Sequence, residues 1–446
     1  GEVATFFGHR TWWPGLDDTV TDCWLVTVGG EVAADDAVPD PVHAAASAGF
    51  RCIGAEHPGV RFRHLDLDSA SASAEAAMAI LTALHTANES ELALRKGGLY
   101  AKRIVERDAA DPDSAPPEHV LVVGGTGNVG LEICEHFGRR GARRITLISR
   151  SGETAAIADR LREIRSATST QVIVTRCDVA DQAAVSVLAQ RNRDVPADLI
   201  VHAAVEYSGI ELADLTVENV DHALRAKVVG VGRILAEFPR SDNCRVFLCS
   251  SIAATVGGRG LIVYAAANRM LDAMAHRLRA DGVDCVSVQW GQWAVTFDPA
   301  AVGTARLATT GLLPMSATDA LALGMSPLRG NAGVVAFELD RARLVLDSCG
   351  GASLLSQLSS PPDVPTPAPT AAQDVPQRLV ELLAQAIGVD RAEAIDAEVP
   401  MVAIGLDSLQ ALELRRRVKL EFNHDLEVSD LLGGASLADV VARLGG

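Results

Sequence analysis

Between residues 111 and 358, short apolar runs alternate with stretches of helical period. Val120–Val123 is continuously apolar and runs into glycines, and an amphipathic stretch follows from Leu131 to Arg140. The β-branched run Ile145–Ile148 lies between Gly141 and Gly152, and Val172–Val174, Leu199–Val201, Val246–Leu248 and Cys285–Val288 repeat the pattern. Strands apolar on both faces and separated by helices predict a doubly wound parallel sheet, an α/β fold of Rossmann type. The first 105 residues carry short strands and one good helix, Ala70–His85, but no glycine fingerprint. From Gln377 the chain reads as helices joined by loops.

Two breaks divide the pattern. Asp108–Glu118 is acidic and proline-bearing, and Ser359–Pro376 is rich in prolines that favour extended backbone without a buried core. The expected organisation is therefore residues 1–110, 111–358, a linker at 359–376, and a small all-α domain at 377–446. No apolar run approaches the roughly 18 residues of a membrane span. The start at Gly1, with no signal-peptide succession, reads as a piece of a longer chain. A net charge of −17 speaks against nucleic acid, which demands a basic face. The eight cysteines are scattered without a CxxC pair, so reduced, buried thiols in a cytoplasmic protein are expected.

The segment HVLVVGGTGNVG sets Gly124, Gly125, Gly127 and Gly130 after a strand and before a helix, with Thr126, Asn128 and Val129 completing the loop. Glycines there allow a tight turn and let backbone N–H groups approach a pyrophosphate at the helix N-terminus. At the end of the next strand stand Ser149 and Arg150 rather than an acidic residue. An acid would accept from a ribose diol, whereas Arg150 neutralises a 2′-phosphate, which favours NADPH over NADH.

Further on come Cys249-Ser250-Ser251, at the end of a strand, and Tyr264-Ala-Ala-Ala-Asn268, whose ends share one face of a helix. Carbonyl reduction needs a proton donor, a second hydrogen bond to the oxygen and a cation to acidify the donor. Tyrosine, serine and lysine are suited to those tasks.

With these residues in place, the sequence resembles the ketoreductase of modular type I polyketide synthases, within the short-chain dehydrogenase superfamily. The likeness runs through GGTG, LISR, CDVAD (Cys177–Asp181), HAA (His202–Ala204), LRAKVVG (Leu224–Gly230), CSSIA, YAAAN and QWGQW (Gln289–Trp293). The resemblance implies Tyr264 as proton donor, Ser251 as the hydroxyl orienting the carbonyl, Lys227 as the base that lowers the tyrosine's pKa, and Asn268 as the remaining catalytic position. It also implies Asp178, Val179, Ala203 and Ala204 as cofactor contacts. The N-terminal part resembles the non-catalytic structural subdomain of these enzymes, shorter at its start than is usual for them, through WLVTVGG, AEHP, LDLD and LALRKGGLYAKR.

Some positions depart from the family. Asn128 replaces a glycine frequent in short-chain dehydrogenases, a site where asparagine would tolerate unusual backbone angles. Val205–Ser208 replaces one stereochemical marker, and Val256 and Leu261 replace others, so product handedness stays open.

Gly405-Leu-Asp-Ser-Leu409 resembles the attachment motif of acyl carrier proteins, with Ser408 as the site of a covalent 4′-phosphopantetheine. Seven basic against thirteen acidic residues from Gln373 onward suit an acidic carrier. The resemblance implies reduction of a β-keto group on a carrier-bound thioester. Its implied partners are the ketosynthase and acyltransferase domains of a parent synthase and a phosphopantetheinyl transferase. A reductively silent scaffold beside a working carrier is the alternative. A terminal thioester reductase is disfavoured by the domain order and by Asn268 after Tyr264, and a free-standing dehydrogenase leaves Ser408 unexplained.

Overall fold

The computed structural model describes the chain except residues 1, 10, 11, 14, 18, 34–37, 58, 87, 88, 109–114, 206, 208, 297–309, 327–329, 348, 349, 360–374, 388–395, 407–409, 412, 413, 416, 419–421, 423, 425, 427, 445 and 446. Two compact units result, one drawn mainly from residues 1–358 and one mainly from 359–446.

The first unit contains two large sheets and a two-stranded one, Leu312–Leu313 against Ala336–Phe337. Strands β1 (Asp22–Val28), β2 (Arg61–Leu67), β3 (Glu91–Arg95) and β4 (Gly98–Ala101) form a four-stranded sheet in that order. The first three are parallel and β4 is antiparallel to β3. Helix α1 (Glu2–His9) precedes them, and α2 (Pro41–Gly54) and α3 (Ser73–His85) lie between them. Asp40 starts α2 by accepting from the N–H groups of Val42 and His43, an N-cap ahead of a proline suited to the first helical turn.

The second sheet holds β5 (His119–Val123), β6 (Arg144–Ser149), β7 (Gln171–Arg176), β8 (Ala197–His202), β9 (Arg240–Ser251), β10 (Cys285–Trp290) and, beyond the short β11 (Leu312–Leu313), β12 (Ala332–Val334). Its order is β12-β10-β9-β8-β5-β6-β7, parallel throughout. The apolar runs read from the sequence are these strands. Val120, Leu121, Val122, Ile145, Leu147, Ile148 and Val201 are at most 1% exposed, as strands covered on both faces must be. Connecting helices include α4 (Asn128–Arg139), α5 (Ala155–Ala167), α6 (Gln182–Arg191), α7 (Val217–Leu224), α8 (Gly230–Glu237), α9 (Ala253–Val256) and α10 (Ile262–Ala280). Between α7 and α8 the helix widens into one π turn, Arg225–Val229. The chain runs outward from β5 to β7 and then resumes on the other side at β8. The reversal between β5 and β8 opens a crevice at the carboxyl ends of the strands.

The second unit contains helices Val375–Ile387, Val428–Leu432 and Leu437–Leu444, and the described residues of 410–418 are helical too. Leu379, Leu382, Leu383, Met401, Leu406, Leu414, Val418, Leu431 and Leu437 form its core. The expected linker lies almost wholly outside the described residues, as do Asp407, Ser408 and Leu409 of the attachment motif.

Candidate active site

The strand ends bring the expected residues to one edge. Gly124 and Gly125 follow β5, and their N–H groups both donate to the Ile148 carbonyl of β6, at 2.8 and 3.1 Å. Gly124 has φ +77°, and a Cβ there would lie 2.7 Å from the backbone of Ala204, so the turn is pressed against the segment leaving β8. A Cβ on Gly130 would lie 2.4 Å from the Gly124 carbonyl oxygen, which holds α4 tight under the loop. Gly127 differs from these two. It is exposed at the N-cap of α4, no side chain caps that helix, and a Cβ there would meet only the Gly124 oxygen at 3.4 Å. The first turn of α4 thus offers backbone N–H groups and a helix dipole without a covering side chain, a cradle of the kind a pyrophosphate fills. The residues present fit a dinucleotide.

Around the cradle, Ser149 ends β6 and its Oγ accepts from the Gly152 N–H at 3.0 Å, while Arg150 beside it is exposed. Asp178 accepts from the Ala180 N–H at 2.9 Å, which fixes the turn after β7, and Val179 is buried against α8 and its neighbours. Ala203 donates its N–H to the Val123 carbonyl at 2.8 Å, so β8 continues one residue past its end beside β5. The allowance made for Asn128 proves unnecessary. It is the first residue of α4, with ordinary backbone angles, and its Nδ2 donates to the Val295 carbonyl at 3.3 Å.

Ser251 is the last residue of β9, 8% exposed, and its Oγ accepts from the Ala253 N–H at 3.3 Å. Tyr264 and Asn268 stand one turn apart on α10, as their spacing predicts, and Asn268 Nδ2 donates to the Tyr264 carbonyl at 2.8 Å. Burial pushes the Tyr264 phenol upward, and hydrogen bonds with Ser251 and Asn268 pull it back in part. Asn268 is fully buried, and its Oδ1 has no hydrogen-bond partner among the described residues.

Lys227 lies at the centre of the π turn and is 3% exposed. Its Nζ donates to the Cys249 carbonyl at 3.0 Å, two residues before Ser251. Burial lowers its ammonium to about 8. At Tyr264 burial outweighs the hydrogen bonds, and the Lys227 ammonium faces the β9 backbone. Nearby, burial first and then Lys227 hold His202 down at about 3.

Two contributors escaped the sequence reading. Tyr207 stands in the loop after β8, 63% exposed, with its ring edge-on to Tyr264 at 5.4 Å between centroids. Its neighbours Glu206 and Ser208 lie outside the described residues. Asp272, two turns after Tyr264 on α10, accepts from Ser287 Oγ and from Gln289 Nε2, each at 2.6 Å. An acid on the apolar face of a helix was the available signal for Asp272. Tyr207 had none beyond its place after HAA.

Comparison with known proteins agrees with this geometry. Residues 119–295 match the KR domain, 377–444 the phosphopantetheine attachment site, and 10–104 the Rossmann fold domain of the polyketide synthase extender module SpnB. The chain is 32% identical over 415 residues to the phenolphthiocerol synthesis polyketide synthase type I Pks15/1 of Mycobacterium bovis, covering 82% of this chain and 20% of that protein. It is 30% identical over 462 residues to the pikromycin polyketide synthase component PikAIII of Streptomyces venezuelae, covering 94% and 29%. It therefore spans under a third of these curated relatives. Among solved structures, A-type ketoreductases from a modular polyketide synthase superpose with a TM-score of 0.68 at 30% identity, over 75% of this chain and 73% of theirs. A C2-type ketoreductase gives 0.64 at 27% identity, over 75% and 74%. Such domains take a dinucleotide of NADPH type and a covalent phosphopantetheine. The glycine cradle, the matched domains and the likeness to solved ketoreductases make this chain a member of the modular type I polyketide synthases, a ketoreductase followed by an acyl carrier domain.

Proposed function

We propose that residues 111–358 reduce the β-keto group of an acyl chain held as a phosphopantetheine thioester, with NADPH preferred over NADH, giving a β-hydroxyacyl thioester. Residues 1–110 brace that catalytic part, 359–376 link it to the carrier, and 377–446 carry the arm on Ser408. The observation that supports the reading most is the gathering of Ser251 at the end of β9 with Tyr264 and Asn268 one turn apart on α10, at the strand edge that also forms the glycine cradle.

The pyrophosphate would rest on the backbone of Gly124, Gly125, Thr126, Gly127, Asn128, Val129 and Gly130. Ser149 and Arg150 would meet the 2′-phosphate, and Asp178, Val179, Ala203 and Ala204 would line the remaining contacts. NADPH supplies the hydride when bound. Ser251 donates a hydrogen bond to the substrate oxygen and holds it toward Tyr264. Tyr264 gives its phenolic proton to that oxygen as the carbonyl becomes an alcohol, and Lys227 supplies positive charge that favours the phenolate left behind. Asn268 secures the helix turn that carries the phenol. Ketosynthase and acyltransferase domains would supply the acyl chain, and a phosphopantetheinyl transferase would load Ser408. Tethering keeps the intermediate at high local concentration between steps.

The test is NADPH oxidation with a β-ketoacyl thioester, comparing the 446-residue chain with Tyr264→Phe. Turnover should fall by about 10²–10⁴-fold while NADPH still binds. Equal turnover would overturn the assignment of Tyr264. A parent chain that binds NADPH but does not turn over would instead favour the silent scaffold.

A further inference from the structure

A cluster of charged side chains lies buried where the four-stranded sheet and α2 meet α10. Glu31, Asp66, Glu91 and Asp272 are each at most 7% exposed, as are Arg51 and Arg95. Lys102 and Arg269, 25% and 14% exposed, complete it. Four acids face four fixed cations, so the cluster is balanced without further charge, and burial of unpaired members would be costly. Glu31, His64 and Glu91 approach within 4.8 Å, a spacing a metal could use. Their carboxylate oxygens are already engaged, however. Glu31 accepts from Ser47 at 3.0 Å, from Lys102 at 2.6 Å and from Arg269. Glu91 accepts from Arg51 at 2.7 Å and lies 3.1 Å from His64. The arrangement is an ion-pair network rather than a vacant cation site.

Two arms of the network leave the N-terminal sheet and end beside the candidate catalytic residues. Arg51, on α2, bonds Glu91 through Nε and reaches with Nη1 to the Ala254 carbonyl at 3.3 Å, in α9, three residues after Ser251. Glu31, just past β1, bonds Arg269 Nη2, five residues after Tyr264 on α10. Arg269 Nη1 in turn lies 3.8 Å from Asp272 Oδ2. Asp272 holds Gln289 Nε2, and Gln289 Oε1 accepts from Thr255 Oγ1 at 2.8 Å, which returns the path to α9. From β9 itself, Ser250 Oγ donates to the Asn268 carbonyl at 3.1 Å. The elements bearing Ser251 and Tyr264 are therefore tied to each other and, separately, to one rigid group of charges in the N-terminal sheet.

We propose that Arg51 and the Glu31–Arg269 pair are positioning residues, which set the separation and orientation of the Ser251 hydroxyl and the Tyr264 phenol. This rests on the reductase reading above. The N-terminal subdomain then acts on the chemistry through these two arms and not solely as packing. The physical reason is that hydrogen-bond catalysis is steep in distance, and a shift of about 1 Å at a reacting group can cost about 100-fold in rate. Arginine suits the task because its planar fork fixes direction as well as charge.

The experiment uses the whole chain. Arg269→Gln and Arg51→Gln are compared with Arg63→Gln, a control on β2 of the N-terminal sheet. Arg63 is as buried as Arg51, but it donates to the Glu89 and Thr86 carbonyls and stacks on Trp24 at 4.2 Å, all within the N-terminal subdomain. Turnover, KM for a β-ketoacyl thioester, NADPH affinity and thermal midpoint are measured for each, with Tyr264→Phe alongside. Arg269→Gln and Arg51→Gln should lower kcat by at least about tenfold with NADPH affinity within about twofold of the parent. Arg63→Gln should lower the thermal midpoint yet keep the parent's kcat. Native kcat in folded Arg269→Gln and Arg51→Gln would overturn the proposal, as would an equal kcat loss in Arg63→Gln. Should a glutamine variant not fold, Arg269→Lys and Arg51→Lys keep the charge but lose the fork, and the same kcat criterion decides. A parent chain without turnover would count against the reductase reading itself, which separates the two failures.

Discussion

Replacing Lys227 by methionine should stabilise the reductase while abolishing its chemistry. Lys227 is 3% exposed, and burial takes its ammonium from the ordinary 10.5 to about 8. Each pKa unit corresponds to about 1.4 kcal/mol, so keeping this charge inside at pH 7 costs the fold about 3 kcal/mol. Lys227→Met removes that cost but gives up the hydrogen bond to the Cys249 carbonyl, which contributes about 1 kcal/mol. The net gain at pH 7 is about 2 kcal/mol. Its pH dependence follows from the depressed folded-state value. The cost is present in full below about pH 8 and fades as pH rises toward 10.5, because the folded protein releases the proton first. At pH 9.5 the gain should be well under ~1 kcal/mol. Urea denaturation followed by tryptophan fluorescence measures it cleanly, since Trp12, Trp13, Trp24, Trp290 and Trp293 all lie in the reductase unit and none in the carrier. A methionine variant less stable than the parent at pH 7, or one with the same gain at pH 7 and 9.5, would refute the reasoning.

Other substitutions probe the remaining parts of the site. Arg150→Ala should reduce kcat/KM for NADPH by about 10-fold or more and leave NADH almost unaffected, because one charge-assisted contact to a 2′-phosphate is worth about 1.5–3 kcal/mol; steady-state kinetics with both dinucleotides decide this. Gly130→Ala would force a Cβ to 2.4 Å from the Gly124 oxygen. It should abolish NADPH binding in a fluorescence titration and cost about 1–3 kcal/mol of stability. Ser408→Ala should leave the intact chain without the mass gain of one phosphopantetheine after treatment with a transferase and coenzyme A, and a gain on the variant would place the arm elsewhere.

The parallel sheet and the candidate residues at its strand edge were legible because each depends on local pattern. Apolar runs such as Val120–Val123 and Ile145–Ile148 are buried on both faces and read as strands without alternation. The four-residue step from Tyr264 to Asn268 survives any helix. The edges were less clear. The helix expected from Leu131 starts at Asn128, because the glycine loop passes directly into it, and β9 extends well beyond Val246–Leu248 into the polar stretch from Arg240. The π turn at Lys227 could not be read, since Arg-Ala-Lys-Val-Val carries no signal that sets it apart from an ordinary helix. The ionic cluster was hidden for a different reason. Glu31 and Arg269 stand 238 positions apart, and each alone looks like a solvated charge. Only the folded chain brings the two together, Glu31 buried and Arg269 14% exposed.

That same separation has a consequence for how the chain is made. A ribosome adds about 5–20 residues per second, so Glu31 emerges roughly 12–48 s before Arg269 exists to meet it. Arg51 waits almost as long for the Ala254 carbonyl, 203 positions later. During that interval Glu31 and Arg51 have only their nearer partners, Lys102 and Glu91, next to apolar surface on α2 that α10 will cover. The first hundred residues thus cannot complete their fold in the order of synthesis. Nascent-chain pulse proteolysis should find them protease-sensitive until residues beyond 270 have left the exit tunnel.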